Sequence, residues 1–131
     1  MAEKIAFELV SPVKKLLGKP VAMVSMPGTE GDFAVLPGHA PLIATLRPGV
    51  IETYEADKVS DRIFVGGGFV EVTAERCTVL AQEALPVADI DRAALNSTIK
   101  ELENALTAAN DADRPVIMTQ LAVAQAKRDA A

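Results

Sequence analysis

The residue types that most often perform chemistry are sparse in this chain. His39 is the only histidine and Cys77 the only cysteine, so these two residues cannot complete a zinc site, which needs at least three protein ligands. Nucleophilic catalysis needs a nucleophile held beside a base, and the sequence has no evident Ser-His-Asp or Cys-His pattern. We therefore predict no catalytic residue and no metal site. A small stand-alone enzyme or ligand-binding protein is an alternative that would require a concave site with converging polar groups.

Three further motifs look like functional signatures but have simpler interpretations. The glycines of residues 66–68 are not followed by Lys-Ser/Thr, and a strand-like run comes next, so we interpret them as a tight turn or bulge rather than a phosphate loop. Glu30 and Asp32 lie on either side of a glycine and are interpreted as turn residues that bind their own backbone. Cys77 follows Arg76, a cation that could lower its pKa, but we interpret it as a small hydrophobic strand residue.

The most distinctive part of the chain is residues 27–49, called here the turn-rich segment. It contains four Pro, four Gly and His39. Proline presets one backbone dihedral and glycine permits positive φ, so this composition predicts a series of fixed turns. Two apolar runs, residues 33–36 and 42–46, lie between the turns. We expect a rigid, exposed and loop-shaped segment that presents a surface rather than a catalytic cleft.

Composition and charge exclude several classes of partner. The chain has 131 residues, half of them hydrophobic, with a formal net charge of −5. A nucleic-acid surface needs clustered cations, and the only basic cluster is Lys14, Lys15 and Lys19 without interleaved aromatic residues. We predict no nucleic-acid partner and no binding to anionic lipid. A single cysteine and the lack of a long apolar run predict a cytoplasmic protein that another protein holds at any membrane where it works.

The composition changes sharply near residue 88. All eight Gly lie before residue 69 and seven of the eight Pro before residue 87, whereas Ala is frequent afterwards. Frequent turn residues are typical of short strands, and the Gly-free remainder is typical of helices. We predict a β + α protein, with a β-sandwich of many short strands over residues 1–87 and an antiparallel two-helix hairpin over residues 88–131. The predicted strands are residues 5–10, 21–26 (buried on both faces), 33–36, 50–54, 62–65, 69–73 and 78–82.

The helices of the hairpin can be placed from caps and spacing. Asp89 or Asp91 is predicted to cap the first helix, and its apolar face is predicted to consist of Leu95, Ile99, Leu102 and Leu106, at spacings of 4, 3 and 4. Asp113 is predicted to cap the second helix, with Pro115 in its first turn. The facing surfaces are rich in Ala and bury little area, so the hairpin must lean on the sandwich or on a partner. We expect it to be a separable, mobile element.

Several motifs resemble one known family along nearly the whole chain. They are Pro27-Gly28-x-Glu30-Gly31-Asp32-Phe33, Leu36-Pro37-Gly38-His39-Ala40-Pro41-Leu42, Leu46-Arg47-Pro48-Gly49, Gly67-Gly68-Phe69-Val70-Glu71-Val72, Thr78-Val79-Leu80-Ala81 and Asp89-x-x-Arg92-Ala93. In order and spacing they are similar to the epsilon subunit of bacterial F-type ATP synthase. The first two motifs are long and specific, whereas the last would be weak on its own.

The resemblance implies a non-catalytic subunit of the synthase rotor that couples proton-driven rotation to ATP synthesis. Such a subunit is peripheral, on the cytoplasmic face of the bacterial plasma (inner) membrane, and requires no cofactor. The implied partners are the gamma subunit of the central stalk and the c-subunit ring. We expect Glu30 to face the polar loops of the ring, and Phe33 and Leu42 to be exposed apolar anchors. The full set of expected interface residues is Glu30, Asp32, Phe33, His39, Ala40, Pro41 and Leu42.

The motif Asp89-x-x-Arg92-Ala93 supports an alternative function, ATP sensing, because the resemblance implies that it binds ATP in some family members. A triphosphate needs cations, but residues 119–126 of the second helix carry no charge, so any ATP binding is predicted to be weak. The resemblance also implies that such a hairpin can block rotation by packing basic residues against the catalytic alpha and beta subunits. This hairpin has few such residues, and we predict weak inhibition.

Overall fold

Ten short strands precede two helices in the computed structural model, which describes residues 4–131. The strands alternate with tight turns, as the frequent Gly and Pro residues predict. Their bounds are β1 (Ile5–Val10), β2 (Lys15–Val21), β3 (Met23–Gly28), β4 (Gly31–Val35), β5 (Leu42–Leu46), β6 (Gly49–Glu55), β7 (Lys58–Val65), β8 (Gly68–Val72), β9 (Arg76–Ala81) and β10 (Ala84–Pro86). A 3-10 turn at Val87–Asp89 leads to helices α1 (Arg92–Ala108) and α2 (Arg114–Ala130).

The strands form one hydrogen-bonded sheet that folds over on itself around a single core. Its order is β10-β7-β6-β3-β5-β8-β9-β1-β2, and β4 pairs with β3 beside this path. The β1–β9 pair is parallel, and the other pairs are antiparallel. Alternate side chains of each strand face inward, as the period of two requires. The fully buried core includes Ile5, Phe7, Leu9, Val21, Val24, Met26, Val35, Ile51, Val65, Val70, Val72 and Val79. The predicted fold class is confirmed.

Strand pairing passes from one half of the sheet to the other at one place, which we call the sheet corner: residues 27–29 of one half and residues 45–47 of the other. Gly28 pairs with Leu46 across it. The Thr29 N–H donates to the Thr45 carbonyl at 3.0 Å, and the Arg47 N–H donates to the Pro27 carbonyl at 2.9 Å. A Cβ at position 28 would lie 2.5 Å from the carbonyl oxygen of Gly31, so only glycine fits there.

The glycines of residues 66–68 form the turn between β7 and β8, as predicted. Gly67 has φ of 106° and Gly68 has φ of 149°, values that favour glycine. A Cβ on Gly68 would also lie 2.2 Å from the Leu80 carbonyl oxygen. These residues therefore permit a close approach of two strands, and a strand rather than a helix follows them.

Two of the strand predictions are wrong in detail. Residues 21–26 are not one strand, because β2 ends at Val21 and β3 begins at Met23. They are not buried on both faces either, since Met23 and Ser25 are partly exposed on alternate positions. Strands β2, β5 and β10 are not among the predicted strands. The second strand lies at the sheet edge, where Gly and Pro are tolerated, and β5 was treated as an apolar run between turns.

A partly buried cluster of polar side chains joins β2, β6 and β7. Thr53 is fully buried, and its hydroxyl donates to the Asp61 carboxylate at 2.8 Å. The Lys19 ammonium lies 2.6 Å from the same carboxylate and 2.8 Å from the Ser60 hydroxyl. Burial acts to raise the pKa of Asp61, but hydrogen bonds from Lys19 and Thr53 outweigh it, and the pKa is lowered from its ordinary value. The charged carboxylate is therefore the form that fits the fold.

The helix caps differ from one another. The Asp91 carboxylate accepts a hydrogen bond from the Ala94 N–H at 3.1 Å and caps α1, whereas Asp89 lies in the 3-10 turn. Asp113 occupies the cap position of α2, but its side chain makes no capping bond. The side-chain oxygen of Asn110 instead accepts from the Asp113 N–H at 2.9 Å. The predicted capping role of Asp113 is thus wrong, while Pro115 is in the first turn of α2 as expected.

The hairpin leans on the sandwich mainly through α2. Ile99 of α1 and Ala124 of α2 are the only fully buried residues of the two described helices. The Lys127 ammonium forms an ion pair with Glu83 and lies 5.7 Å from the centroid of the Phe64 ring. Its side chain is only 18% exposed. The prediction that the hairpin leans on the sandwich is confirmed, and its mobility remains a prediction.

The cluster of Lys19, Thr53, Ser60 and Asp61 makes the free energy of unfolding depend on pH. Because the pKa of Asp61 is lowered in the folded state, its carboxylate stabilises the fold above the unfolded-state pKa of about 4, and this contribution is lost as pH falls below that value. We expect Asp61→Asn to lower the free energy of unfolding by about 1–2 kcal/mol at pH 7. The loss should shrink toward pH 3, as measured by urea unfolding.

The matched control is Asp57→Asn, in the exposed turn between β6 and β7, which should change little at either pH. An equal loss of stability at pH 3 and pH 7 for Asp61→Asn would contradict the charge-based explanation.

Candidate functional site

The turn-rich segment is less loop-like than predicted, because β4 and β5 run through it. Glu30 is exposed at the turn between β3 and β4. Phe33 in β4 and Leu42 in β5 are partly buried and pack against the core, so the expectation that they are exposed loop residues is wrong, while their role in an interface stays a prediction. Both side chains still line a groove of about 380 Å³ together with Glu30 and the backbone of the turn. The groove brings together three of the predicted site residues.

Asp32 does not bind its own backbone, contrary to the sequence interpretation. Its carboxylate forms an ion pair with Arg47, from the opposite side of the sheet corner. The other terminal nitrogen of Arg47 donates to the Gly28 carbonyl at 2.5 Å. The sequence analysis could not identify this contact, because it joins residues that are distant in the chain and unrelated by any local period.

His39, Ala40 and Pro41 lie in the loop that leads into β5. Two backbone hydrogen bonds hold this loop in place. The Gly38 N–H donates to the Ala74 carbonyl at 2.9 Å, and the His39 N–H donates to the Leu36 carbonyl at 3.1 Å. The Nδ1 atom of His39 is 2.6 Å from the Ala40 carbonyl oxygen and therefore donates to it. The imidazole is thus used to shape the loop, as expected of a rigid surface.

A second surface, which the sequence analysis missed, lies on the outside of β5, β8 and β9. Its apolar side chains are Ile43, Phe69 and Leu80, which are 72%, 44% and 43% exposed; we call it the outer apolar face. Phe69 and Leu80 are directly opposite each other in the pairing of β8 with β9. The sequence did carry a signal: Phe69 shares one phase of the alternation of β8 with the charged Glu71, so Phe69 faces outward with it.

The outer apolar face and the groove at Glu30 form one continuous surface. Ile43 lines the Glu30 groove on one side, and on the other it lines a wider groove of about 920 Å³ with Phe69 and Leu80. Exposed apolar side chains on several adjacent strands, with polar groups at their edge, are typical of a protein–protein interaction site. The arrangement can therefore bind a partner surface.

The described residues give no support for catalysis by a metal or thiolate. Within residues 4–131, no three His, Cys, Asp or Glu side chains are grouped so that they could hold a metal ion. Cys77 is buried in β9, and burial raises its pKa to about 12, so the thiol stays protonated at neutral pH despite the neighbouring Arg76. In the same part of the chain, neither helix has the length and apolar character needed to cross a bilayer.

The motif that supports ATP sensing does not line the groove between the hairpin and the sandwich. Asp89 in the 3-10 turn and Arg92 and Ala93 at the start of α1 are all exposed. A groove of about 660 Å³ separates the hairpin from the sandwich turns, and its lining includes none of these three residues. The only cation in its lining is Lys127, which is paired with Glu83. The lining therefore has no net positive charge and does not fit a nucleoside triphosphate.

Comparison with known proteins gives a consistent result. The sequence model of the family described as ATP synthase, Delta/Epsilon chain, beta-sandwich domain matches residues 4–87. The ATP synthase epsilon chain of Rhodospirillum centenum is 52% identical, over 98% of this chain and 92% of that protein. The ATP synthase epsilon chain of Rhodospirillum rubrum is 48% identical, over 96% of this chain and 95% of that protein.

Solved structures agree with the sequence comparison. A chain in the cryo-EM structure of OSCP, F1 and the c-ring of the Euglena gracilis mitochondrial ATP synthase has a TM-score of 0.84 and 27% identity, covering 97% of this chain and 81% of that one. A chain in the central stalk and c-ring structure from Tetrahymena thermophila shares the fold, with a TM-score of 0.57 and 18% identity over 66% and 69% of the two chains. The chain therefore belongs to the epsilon-chain family of ATP synthases.

Proposed function

We propose that this chain couples rotation to ATP synthesis by clamping the gamma subunit of the central stalk to the c-subunit ring. Epsilon chains are non-catalytic subunits, and the chemistry takes place elsewhere in the synthase. The observation that carries the proposal is the continuous surface from Glu30 through Ile43 to Leu80. A clamp needs such a surface on a rigid support, and here it lies on paired strands. As part of the synthase, the chain would be peripheral, on the cytoplasmic face of the bacterial plasma membrane.

The two ends of the surface suit different partners. The outer apolar face can bury Ile43 and Phe69 against the gamma subunit, since large apolar side chains contribute most to such interfaces. The Glu30 carboxylate, exposed on a turn, suits the polar loops of the c-ring, where an acid that meets basic residues would steer docking. The loop of residues 39–41 borders β5 and would extend the same contact.

Substitution on the outer apolar face tests the proposed gamma contact. We expect Phe69→Ser to weaken binding of the chain to gamma–c-ring complexes by about 10–100-fold, because a buried aromatic anchor contributes roughly 1–3 kcal/mol. Surface plasmon resonance would measure the affinity. The matched control is Val59→Ser, since Val59 in β7 is 43% exposed, like Phe69, but lies outside this face. Equal affinities for the two variants would contradict the assignment.

We infer that the hairpin inhibits the motor only weakly, even where it reaches the alpha and beta subunits. Residues 119–126 carry no charge, and the basic Lys127 nearby is already paired with Glu83. Deletion of residues 89–131 should therefore leave the ATP hydrolysis rate of the whole complex little changed, as measured with a coupled assay. The full-length chain reconstituted in parallel is the control, and a severalfold higher rate after deletion would refute the inference.

We also infer that this chain needs no bound nucleotide for its function. ATP sensing through Asp89 and Arg92 is the second candidate function. Two observations support a function without nucleotide: Asp89 and Arg92 are exposed, and Lys127 in the groove beside the hairpin is paired with Glu83. Titration of the purified chain with Mg-ATP should leave the amide chemical shifts of residues 85–131 unchanged at millimolar concentration. Saturable shifts that disappear in Arg92→Ala would favour the sensor instead.

A further inference from the structure

We propose that Arg47 is a positioning residue. It pairs with Asp32 within the fold and leaves Glu30 as the acid that contacts the partner. Two acids lie within three residues, Glu30 in the turn between β3 and β4 and Asp32 in β4, and they differ in their contacts. Asp32 is paired with Arg47. For Glu30, no cationic side chain within residues 4–131 forms an ion pair. The part of this proposal that concerns binding rests on the proposed function.

Arg47 holds both strands of the β3–β4 hairpin at once. One terminal nitrogen donates to the Gly28 carbonyl, on β3, at 2.5 Å, and the other pairs with the Asp32 carboxylate, on β4. The backbone N–H of Arg47 also donates to the Pro27 carbonyl at 2.9 Å. A planar guanidinium can serve two acceptors in fixed directions, whereas a lysine ammonium on a flexible stem cannot reproduce that geometry.

The turn that displays Glu30 depends on this contact from outside. Gly31 has φ of 131°, and the carbonyl of Gly31 crowds the Cα of Gly28. Only Thr29 and Glu30 separate β3 from β4, and the Thr29 N–H is bound to β5 rather than to the turn itself. Contacts from the β5 side of the sheet corner therefore add to the β3–β4 pairing, which includes Gly28 with Gly31, in fixing the backbone from which the Glu30 side chain projects.

The pairing also decides which acid attracts a partner. Because Arg47 offsets the charge of Asp32 at short range, the field beyond the turn is dominated by Glu30. A positioned, unpaired carboxylate raises the rate at which a basic loop docks. Arg47 thus acts on binding through the turn, without itself needing to touch the partner.

Hydrogen exchange of the free chain tests the positioning. We expect Arg47→Lys, which keeps the charge but loses the fork, to speed exchange of the amides of residues 28–32 by about tenfold through easier local opening. Asp32→Asn should do the same, while Glu30→Gln should leave exchange unchanged. Since Arg47 and Asp32 are exposed, these variants should fold, which the melting temperature would verify. Exchange in Arg47→Lys equal to that of the unmodified chain would overturn the proposal.

Binding to the gamma–c-ring complex at several salt concentrations tests the choice of acid. Glu30→Gln should weaken binding and flatten its salt dependence, because one charge contact is lost. Arg47→Lys should weaken binding severalfold with the salt dependence retained. A flattened salt dependence in Arg47→Lys would overturn the positioning role. Failure of the unmodified chain to bind would refute the proposed function and the choice of acid, while the exchange result would still decide whether Arg47 fixes the turn.

Discussion

The connection between the two halves of the sheet depends on the sheet corner. Strands β10, β7, β6 and β3 lie on one side and β5, β8, β9, β1 and β2 on the other, and the path between them is a single pair, Gly28 with Leu46. Close backbone approach at this point requires the missing side chain of Gly28. The turn that carries Glu30 begins at the same residue. The proposed interface is therefore supported by the geometry that closes the core, and it does not need to order on binding.

Stability is distributed unevenly between the two parts of the chain. The sandwich buries a continuous aliphatic core, whereas the hairpin fully buries only Ile99 and Ala124 among the described residues. Its best-defined contact with the sandwich is one ion pair, Lys127 with Glu83. An apolar core resists local opening, and a charge contact at the surface is weaker and is screened by salt. The sandwich is thus the more stable part of the chain, and the mobility of the hairpin stays a prediction.

The sequence predicted the architecture better than the surface. The frequent Gly and Pro residues before residue 88 and the 4-3-4 spacing of apolar residues afterwards are local signals, and they located most of the strands, the turn at residues 66–68 and the first helix. The positions of Phe69 beside Leu80 and of Asp32 beside Arg47 depend on strand register across the sheet. That register is set by contacts between distant segments, which a single sequence does not display. Hence Glu30 was placed correctly on a turn, while the partly buried Phe33 and Leu42 were not.

The one parallel pair of the sheet sets the order in which the chain can fold. Ala6 of β1 pairs with Arg76 of β9. Strand β1 is therefore synthesised well before β9, the strand with which it forms this pair. Until β9 is synthesised, β1 can form only its local hairpin with β2. Contacts between such distant segments make folding slow, and an unpaired strand edge invites association with other chains. Lys15 and Lys19 lie along β2, which stays at the edge of the finished sheet, and their charges discourage association along that edge.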